Sequence, residues 1–271
     1  MVDYARSDGV TADRGKRRIP FLSGRAAGRI ASIVLFFALW WFGTWAMGPR
    51  LCPDPISVFT FVVRETASGV LPYQLGVTLA RVAAAFVLAM AIGTAIGLLM
   101  GRSRTANTVL EPWLILLLNA PALIVIVLAY IWIGLSETAA ILAVALNKIP
   151  NVTVTVREGA RAMDPAYQEM AKVYRFSRAS IYRDVIMPQL QPYLAAAARS
   201  GLALIWKIVL VVELLGRSNG VGFQIHLYFQ MFDVRAILGY TLAFVTVMLL
   251  IEFLLVQPME ARANRWRPKA R

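Results

Sequence analysis

Five charged side chains stand inside, or at the edges of, long apolar stretches of this sequence: Arg81, Lys148, Arg199, Lys207 and Glu213, with Asn119 and Asn147 as uncharged polar companions. A charge held at membrane depth costs roughly 3 kcal/mol or more, so it persists where it lines a solute path or meets an opposite charge. Arg199 and Lys207 are eight residues apart, which puts them on about one face of a helix. That face is expected to border a translocation path and to favour an anion. A second reading of Lys207 stays open: a structural pair with a carboxylate on a neighbouring helix. Glu213 lies six residues from Lys207, poorly placed to pair with it within one helix. Arg81 and Arg199 fall near run ends, where a long basic side chain can reach the interface. The candidates for a path are therefore Lys207, Glu213, Arg199, Asn147 and Lys148.

Bond-breaking chemistry finds no constellation here. His226 is the only histidine and Cys52 the only cysteine, so neither a catalytic metal centre nor a disulfide framework is expected. No Gly-x-x-x-x-Gly-Lys-Ser/Thr loop occurs, so the chain has no phosphate cradle of its own. A membrane-embedded enzyme would need a nucleophile–base pair or a metal set that is missing.

The elements that must position these residues follow from composition. The 271 residues are 59% hydrophobic and 16% charged, with mean hydropathy +0.63, too apolar for an ordinary soluble domain. A helix needs about 20 apolar residues to cross a bilayer. Six candidate spans result, at about 30–48, 76–100, 110–132, 138–156, 190–214 and 236–256. The fold class is all-α, a polytopic membrane protein. Trp40, Trp41 and Trp45 mark the first run as a retained span rather than a cleaved signal. In the second, Gly93 and Gly97, extended by Ala89 and Gly101, make a small-residue face that permits close helix approach.

The net charge of +13 does not mark a nucleic-acid binder, because the basic residues lie between apolar blocks, where they orient a membrane protein. Segments 1–29, 101–109, 157–189 and 257–271 hold 20 of the 28 Lys and Arg; the connections on the other side hold Arg50, Arg64, Arg217 and Arg235. Both termini are expected to be cytoplasmic. The chain divides into a disordered tail (1–29), a first span with an interfacial segment (30–70), a core (71–256) and a basic tail (257–271). In the outer connections, Val58–Thr66 reads as an interfacial helix, and 216–222 as a Gly-rich turn.

The inner loop 157–189 is too structured for a simple connection. Asp164-Pro165 is an N-cap followed by proline at the first helical position. Tyr167, Met170 and Tyr174 then recur at helical spacing, with Ala171 beside them and Glu169 on another face. Ser177 caps a second short helix, and Pro188 and Pro192 mark re-entry to the membrane. A polar loop of this kind suits a docking partner; the alternative is an amphipathic helix on the lipid surface.

This loop resembles the coupling motif of ABC-importer permeases: Glu-Ala-Ala, three residues, Gly, nine residues, Ile-x-Leu-Pro. The chain reads Glu169-Met170-Ala171, Arg175 at the Gly position, then Val185-Ile186-Met187-Pro188, with the spacing kept. Leu51-Cys52-Pro53-Asp54-Pro55, Thr78-Leu79-Ala80-Arg81-Val82, Gly97 to Gly101, Trp132-Ile133-Gly134, Gly201 to Trp206 and Glu213-Leu214-Leu215-Gly216 resemble the nitrate, sulfonate, taurine and bicarbonate-type subfamily, over about residues 51–256. The resemblance implies a type I importer permease fold, a homodimer in a prokaryotic plasma membrane, cytoplasmic ATPase subunits that use ATP and Mg²⁺, and an outer substrate-binding protein. It also implies docking of the ATPase on Asp164, Pro165, Tyr167, Glu169, Met170, Ala171, Tyr174 and Arg175, and no cofactor held by this chain. Arg175 departs from the motif where a left-handed turn is expected, at a cost of roughly 1 kcal/mol for a non-Gly residue. An ion-coupled secondary transporter is the rival reading, and it leaves the structured inner loop without a task.

Overall fold

The computed structural model describes residues 24–263. The expectations for the outermost parts of both basic tails, 1–23 and 264–271, lie outside the described residues. Within them the chain is helical, with no strand.

Helix α1 (Gly24–Met47) leads to α2 (Pro55–Ala67), α3 (Val70–Arg102), α4 (Arg104–Asn119), α5 (Ala122–Ile133) and α6 (Glu137–Arg161). Then come the short α7 (Pro165–Val173) and α8 (Arg178–Ser180), and a π-helical stretch, Ile181–Ile186, that runs into α9 (Met187–Gly216). Helix α10 (Val221–Gln230) precedes α11 (Val234–Ile251), which continues through a second π-helical stretch, Glu252–Val256, into α12 (Gln257–Ala263). Helix α1 begins at Gly24 and α12 occupies 257–263, so each takes in part of a segment read from the sequence as tail.

Among the described residues, five helices are long and apolar enough to cross a membrane, six if the bent pair α4–α5 is one crossing. The sequence suggested one continuous span at 110–132; the structure breaks it, with α4 and α5 meeting at 99°. Pro121 explains the break. It offers no N–H to the helix, and it forces Ala120 into an extended conformation (φ −68°, ψ 124°). The pair nevertheless runs the length of α6. Near one end of α6, Arg157 reaches Glu111 of α4; at the other, Gly216 packs against Tyr130 of α5, beside Leu135. It is therefore a broken crossing rather than a loop returning to its own side.

The tightest packing joins α3 to α6, which run parallel. A Cβ added at Gly93 would stand 2.7 Å from the Val152 Cβ, one at Gly97 2.7 Å from the Thr153 carbonyl oxygen, and one at Gly101 2.5 Å from the Ala160 Cβ. The small-residue face is thus used for backbone approach. The buried side chains of α3, α6 and α9 form two apolar clusters stacked along the bundle. One holds Ala85, Val144, Ile205 and their neighbours. The other, nearer α7, holds Val152, Ile186, Leu190 and Ala197. A third, around Tyr240 and Phe244, seats α11.

Candidate functional site

At the end of the bundle away from α7, a closed network of charges ties α3, α6 and α9 together. The Arg81 guanidinium grips Glu137 through Nε (2.8 Å) and Nη2 (2.6 Å), and it donates from Nη1 to Glu213 at 2.7 Å. It also donates to the Asn219 carbonyl (2.8 Å) and to the Asn219 side-chain oxygen. Glu213 has no exposed side-chain surface; it further accepts from the Thr78 hydroxyl (3.0 Å) and the Gly222 amide (2.8 Å). Arg217 completes the set, donating to Glu137 and to the Leu135 carbonyl. Two cations and two carboxylates balance, and most of their polar atoms are satisfied; the Nε of Arg217 is buried without a partner.

The same network pins the turn after α9. The Gly220 amide donates to Gln74 Oε1 (2.6 Å), and the Val221 amide to the Thr78 hydroxyl (2.8 Å). Gly220 holds φ +104°, and a Cβ there would meet the Glu213 carboxylate at 2.4 Å, which explains why the connection is glycine-rich. Beyond it, the aromatic stretch forms α10, capped by Gly220.

This arrangement corrects one expectation. Arg81 does not reach for the interface: its side chain is 4% exposed and fully engaged. Glu213, carried as a path candidate, is enclosed in the ion pair, with no exposed side-chain surface in this chain. Glu137, Arg217, Asn219 and Gln74 were not singled out from sequence. Their partners lie from 56 to 146 residues away, so no local pattern points to them.

The other path candidates are dispersed. Lys207 is exposed on α9, its ammonium 5.6 Å from the Trp206 ring centroid, and no carboxylate among the described residues pairs with it. Arg199 pairs with Glu252 at 3.4 Å, in the half of α9 that does not hold Lys207. Asn147 donates to the Ala143 carbonyl of its own helix and Asn119 to that of Ile115, so neither meets a charged candidate. Lys148 is 2% exposed between α6 and α9, where its Cε lies 3.1 Å from the position of a Gly201 Cβ. His226 is hydrogen-bonded to Gln230, and no cluster able to hold a metal occurs among the described residues.

The loop at the opposite end is built as its sequence suggests. Asp164 caps α7 by accepting from the Ala166 amide at 2.9 Å, with Pro165 in the first turn. Its own amide donates to Gln189 of α9, tying the cap to the bundle. Ala171 is fully buried beneath α7, while Tyr167, Met170, Val173 and Tyr174 stand exposed along it, Val173 at 78% and Tyr174 at 70%. Glu169 is exposed beside them. Arg175 adopts φ +51°, the left-handed conformation expected at the motif's glycine position. In that conformation the Phe176 amide reaches the Ala171 carbonyl (2.9 Å) and the Arg175 amide the Lys172 carbonyl (3.0 Å). Ser177 caps α8 as expected, but the following turn, Ile181–Ile186, is π-helical, and it buries Val185 and Ile186 against the bundle.

Residues 93–266 match the family model of the binding-protein-dependent transport system inner membrane component. The chain is 28% identical over 232 residues to a Brucella abortus protein named as a probable ABC transporter permease, covering 85% of this chain and 92% of that one. It is 26% identical over 254 residues to the taurine transport system permease protein of Escherichia coli, covering 91% of each. Among solved structures, the inward-facing methionine ABC transporter superposes with a TM-score of 0.63 at 18% identity, over 74% of this chain and 99% of that one. The last likeness is one of fold.

Proposed function

This chain belongs to the family of binding-protein-dependent transport system inner membrane components, the multi-pass permease subunits of ABC importers, and from that premise we propose how it couples and what it carries. The coupling site is the face of α7. An ATPase subunit grips Tyr167, Met170, Val173 and Tyr174, with Glu169 and Arg175 at the rim. Asp164, Pro165 and Ala171 hold the helix in place beneath. The observation that carries this reading is the row of large apolar side chains left exposed on a short, doubly anchored helix outside the bundle. Exposed apolar patches on a rigid element mark partner surfaces.

Energy enters from outside the chain, whose sequence has no phosphate-binding loop; ATP and Mg²⁺ belong to the ATPase. Closure of the ATPase pair pushes α7, and the π-helical turn at Ile181–Ile186 passes the push into α9. The basic loop and tails face the cytoplasm of a prokaryotic cell, and a binding protein delivers solute at the end that carries the Arg81 network. Two copies of the chain form the path. The exposed Lys207 face of α9 is the part of this subunit that the second copy and the solute cover, because an ammonium at that depth is not left to lipid. The cargo is a small anion. Lys207 and Lys148 lack carboxylate partners among the described residues, and the Escherichia coli relative is named for taurine, which carries a sulfonate.

The test is co-purification of the detergent-solubilised protein with its ATPase, comparing wild type with a Glu169→Ala, Tyr174→Ala double variant. Association that the double variant weakens supports the docking surface. A folded, monodisperse protein that binds no ATPase overturns it and favours an ion-coupled secondary transporter.

A further inference from the structure

The two stacked apolar clusters of the bundle do not merge, and Lys148 stands at their seam. On α6, Val144 belongs to one cluster and Val152 to the other, each four residues from Lys148. On α9, Ile205 and Ala197 belong to the same two clusters, each four residues from Gly201. On α3, Ala85 lies in the first cluster and Met90 packs on the second, with the fully buried Ala89 between them. Three helices therefore bring one layer together, and its members are a glycine, an alanine and a lysine. The Lys148 Cε lies 3.1 Å, and a Phe86 ring carbon 3.8 Å, from the point that a Gly201 Cβ would occupy. Lysine 148 fills the space that glycine leaves.

This layer is also the middle of the crossing. Lys148 is 11 residues from the start of α6 and 13 from its end, about 16 and 20 Å at the rise of an α-helix. An ammonium buried there without a counter-charge is costly. The other deeply buried charges are neutralised: Arg81 binds Glu137 and Glu213. Lys148 is 2% exposed, its ammonium nitrogen is not sealed off, and no acceptor among the described residues receives a hydrogen bond from it. A leucine or methionine would fill the seam at lower cost, so packing alone does not account for the lysine.

We propose that Lys148 is the anion-binding group of the translocation path: the oxyanion head of a small solute, a sulfonate or carboxylate, pairs with its ammonium at mid-membrane. Gly201 is the gap through which α9 uncovers it as the two clusters move relative to each other. The inference rests on the importer reading, and it adds the residue that senses the cargo's charge. Glycine at 201 is then a requirement of the site, since a methyl group there stands against the lysine stem.

The experiment uses the complete complex of permease, ATPase and binding protein in proteoliposomes, with taurine, ethanesulfonate and nitrate as probes. Lys148→Met is expected to lower ATP-dependent uptake of the imported anion at least tenfold, and Lys148→Arg to retain part of it. The melting temperature should stay at or above wild type, because removing an unpaired buried charge relieves the fold. Unchanged uptake by Lys148→Met overturns the proposal. So does loss of uptake together with a lowered melting temperature, which marks a structural lysine. So does a wild-type complex that imports only solutes without an oxyanion group.

A second variant tests exposure. Lys148→Cys, in a Cys52→Ser background, should be inactive, and aminoethylation in one nucleotide state should restore uptake by rebuilding a lysine-like cation. A thiol that no reagent reaches in any nucleotide state overturns the proposal. A wild-type complex that assembles no ATPase and imports nothing refutes the importer reading instead, and is told apart by the co-purification result.

Discussion

Arg81 of α3 and Glu213 of α9, 132 residues apart, meet at 2.7 Å with side-chain exposures of 4% and 0%. A buried pair of this kind stabilises little compared with apolar side chains of the same shape. Its half, once the partner is removed, is a strong penalty, because one charge stays buried and unanswered. Glu213→Leu leaves two guanidiniums, Arg81 and Arg217, facing the single carboxylate of Glu137, orphans the Gly222 amide and takes one partner from the Thr78 hydroxyl. The variant is expected to lose about 3–5 kcal/mol of stability, read as a fall in the melting temperature of the purified protein. Combining it with Arg81→Met should cost less than the two single changes added together. Additive losses would mean that the two residues act independently.

The strain at Arg175 is measurable by limited proteolysis. A side chain at φ +51° costs roughly 1 kcal/mol relative to glycine. Arg175→Gly should raise the stability of the loop, seen as slower proteolysis between Met163 and Met187. Arg175→Ala keeps the strain and removes only the charge, so it should leave proteolysis unchanged. Each also changes ATPase affinity if the guanidinium touches the partner, and equal affinities for both would place the effect in the charge rather than the turn.

How much of this was legible in the sequence depends on the range of the interactions. The α7 loop was readable because its determinants are local: an Asp-Pro start, aromatic and methionine residues at helical spacing, and a motif whose glycine position proved to be left-handed. The break in the third crossing had a local sign too, in Ala120-Pro121, and the predominantly apolar content of 110–132 concealed it. The Arg81 network was not readable. The strings around Thr78–Val82 and Glu213–Gly216 both drew notice, but nothing in either says that it closes on the other through Asn219. Lys148 lay between these cases: its depth was evident from the sequence, its isolation only from the neighbours that α3 and α9 supply.

The α3–α6 contact sets a steric prediction. At Gly97 a Cβ would lie 2.7 Å from the Thr153 carbonyl oxygen and 2.8 Å from the Val156 Cβ, so backbone must move. Gly97→Val is expected to cost at least about 1–3 kcal/mol through overpacking, with a matching loss of folded protein in the membrane fraction. Gly76→Ala on the same helix, with nothing within 4 Å of the added carbon, is the control and should be neutral. Equal expression of both variants would refute the claim that the small-residue face serves close approach.

Ala171 separates holding the loop from touching the partner. It is fully buried beneath α7, while the gripping side chains point away from it. Ala171→Leu adds volume under the helix without altering the exposed row, and overpacking of this size costs about 1–3 kcal/mol. The helix is expected to lift or tilt, because it is short and held mainly at its Asp164 end and at the Phe176–Ala171 hydrogen bond. The ATPase should still bind, since Tyr167, Met170 and Tyr174 remain, but its hydrolysis should no longer respond to loaded binding protein. The check is a pair of measurements on one preparation: ATPase retained per permease, and the ratio of stimulated to basal hydrolysis. Retained binding with a ratio near one supports a rigid push through α7 into α9. A normal ratio would show that the seating of α7 does not carry the signal, and would move the coupling to the π-helical turn at Ile181–Ile186.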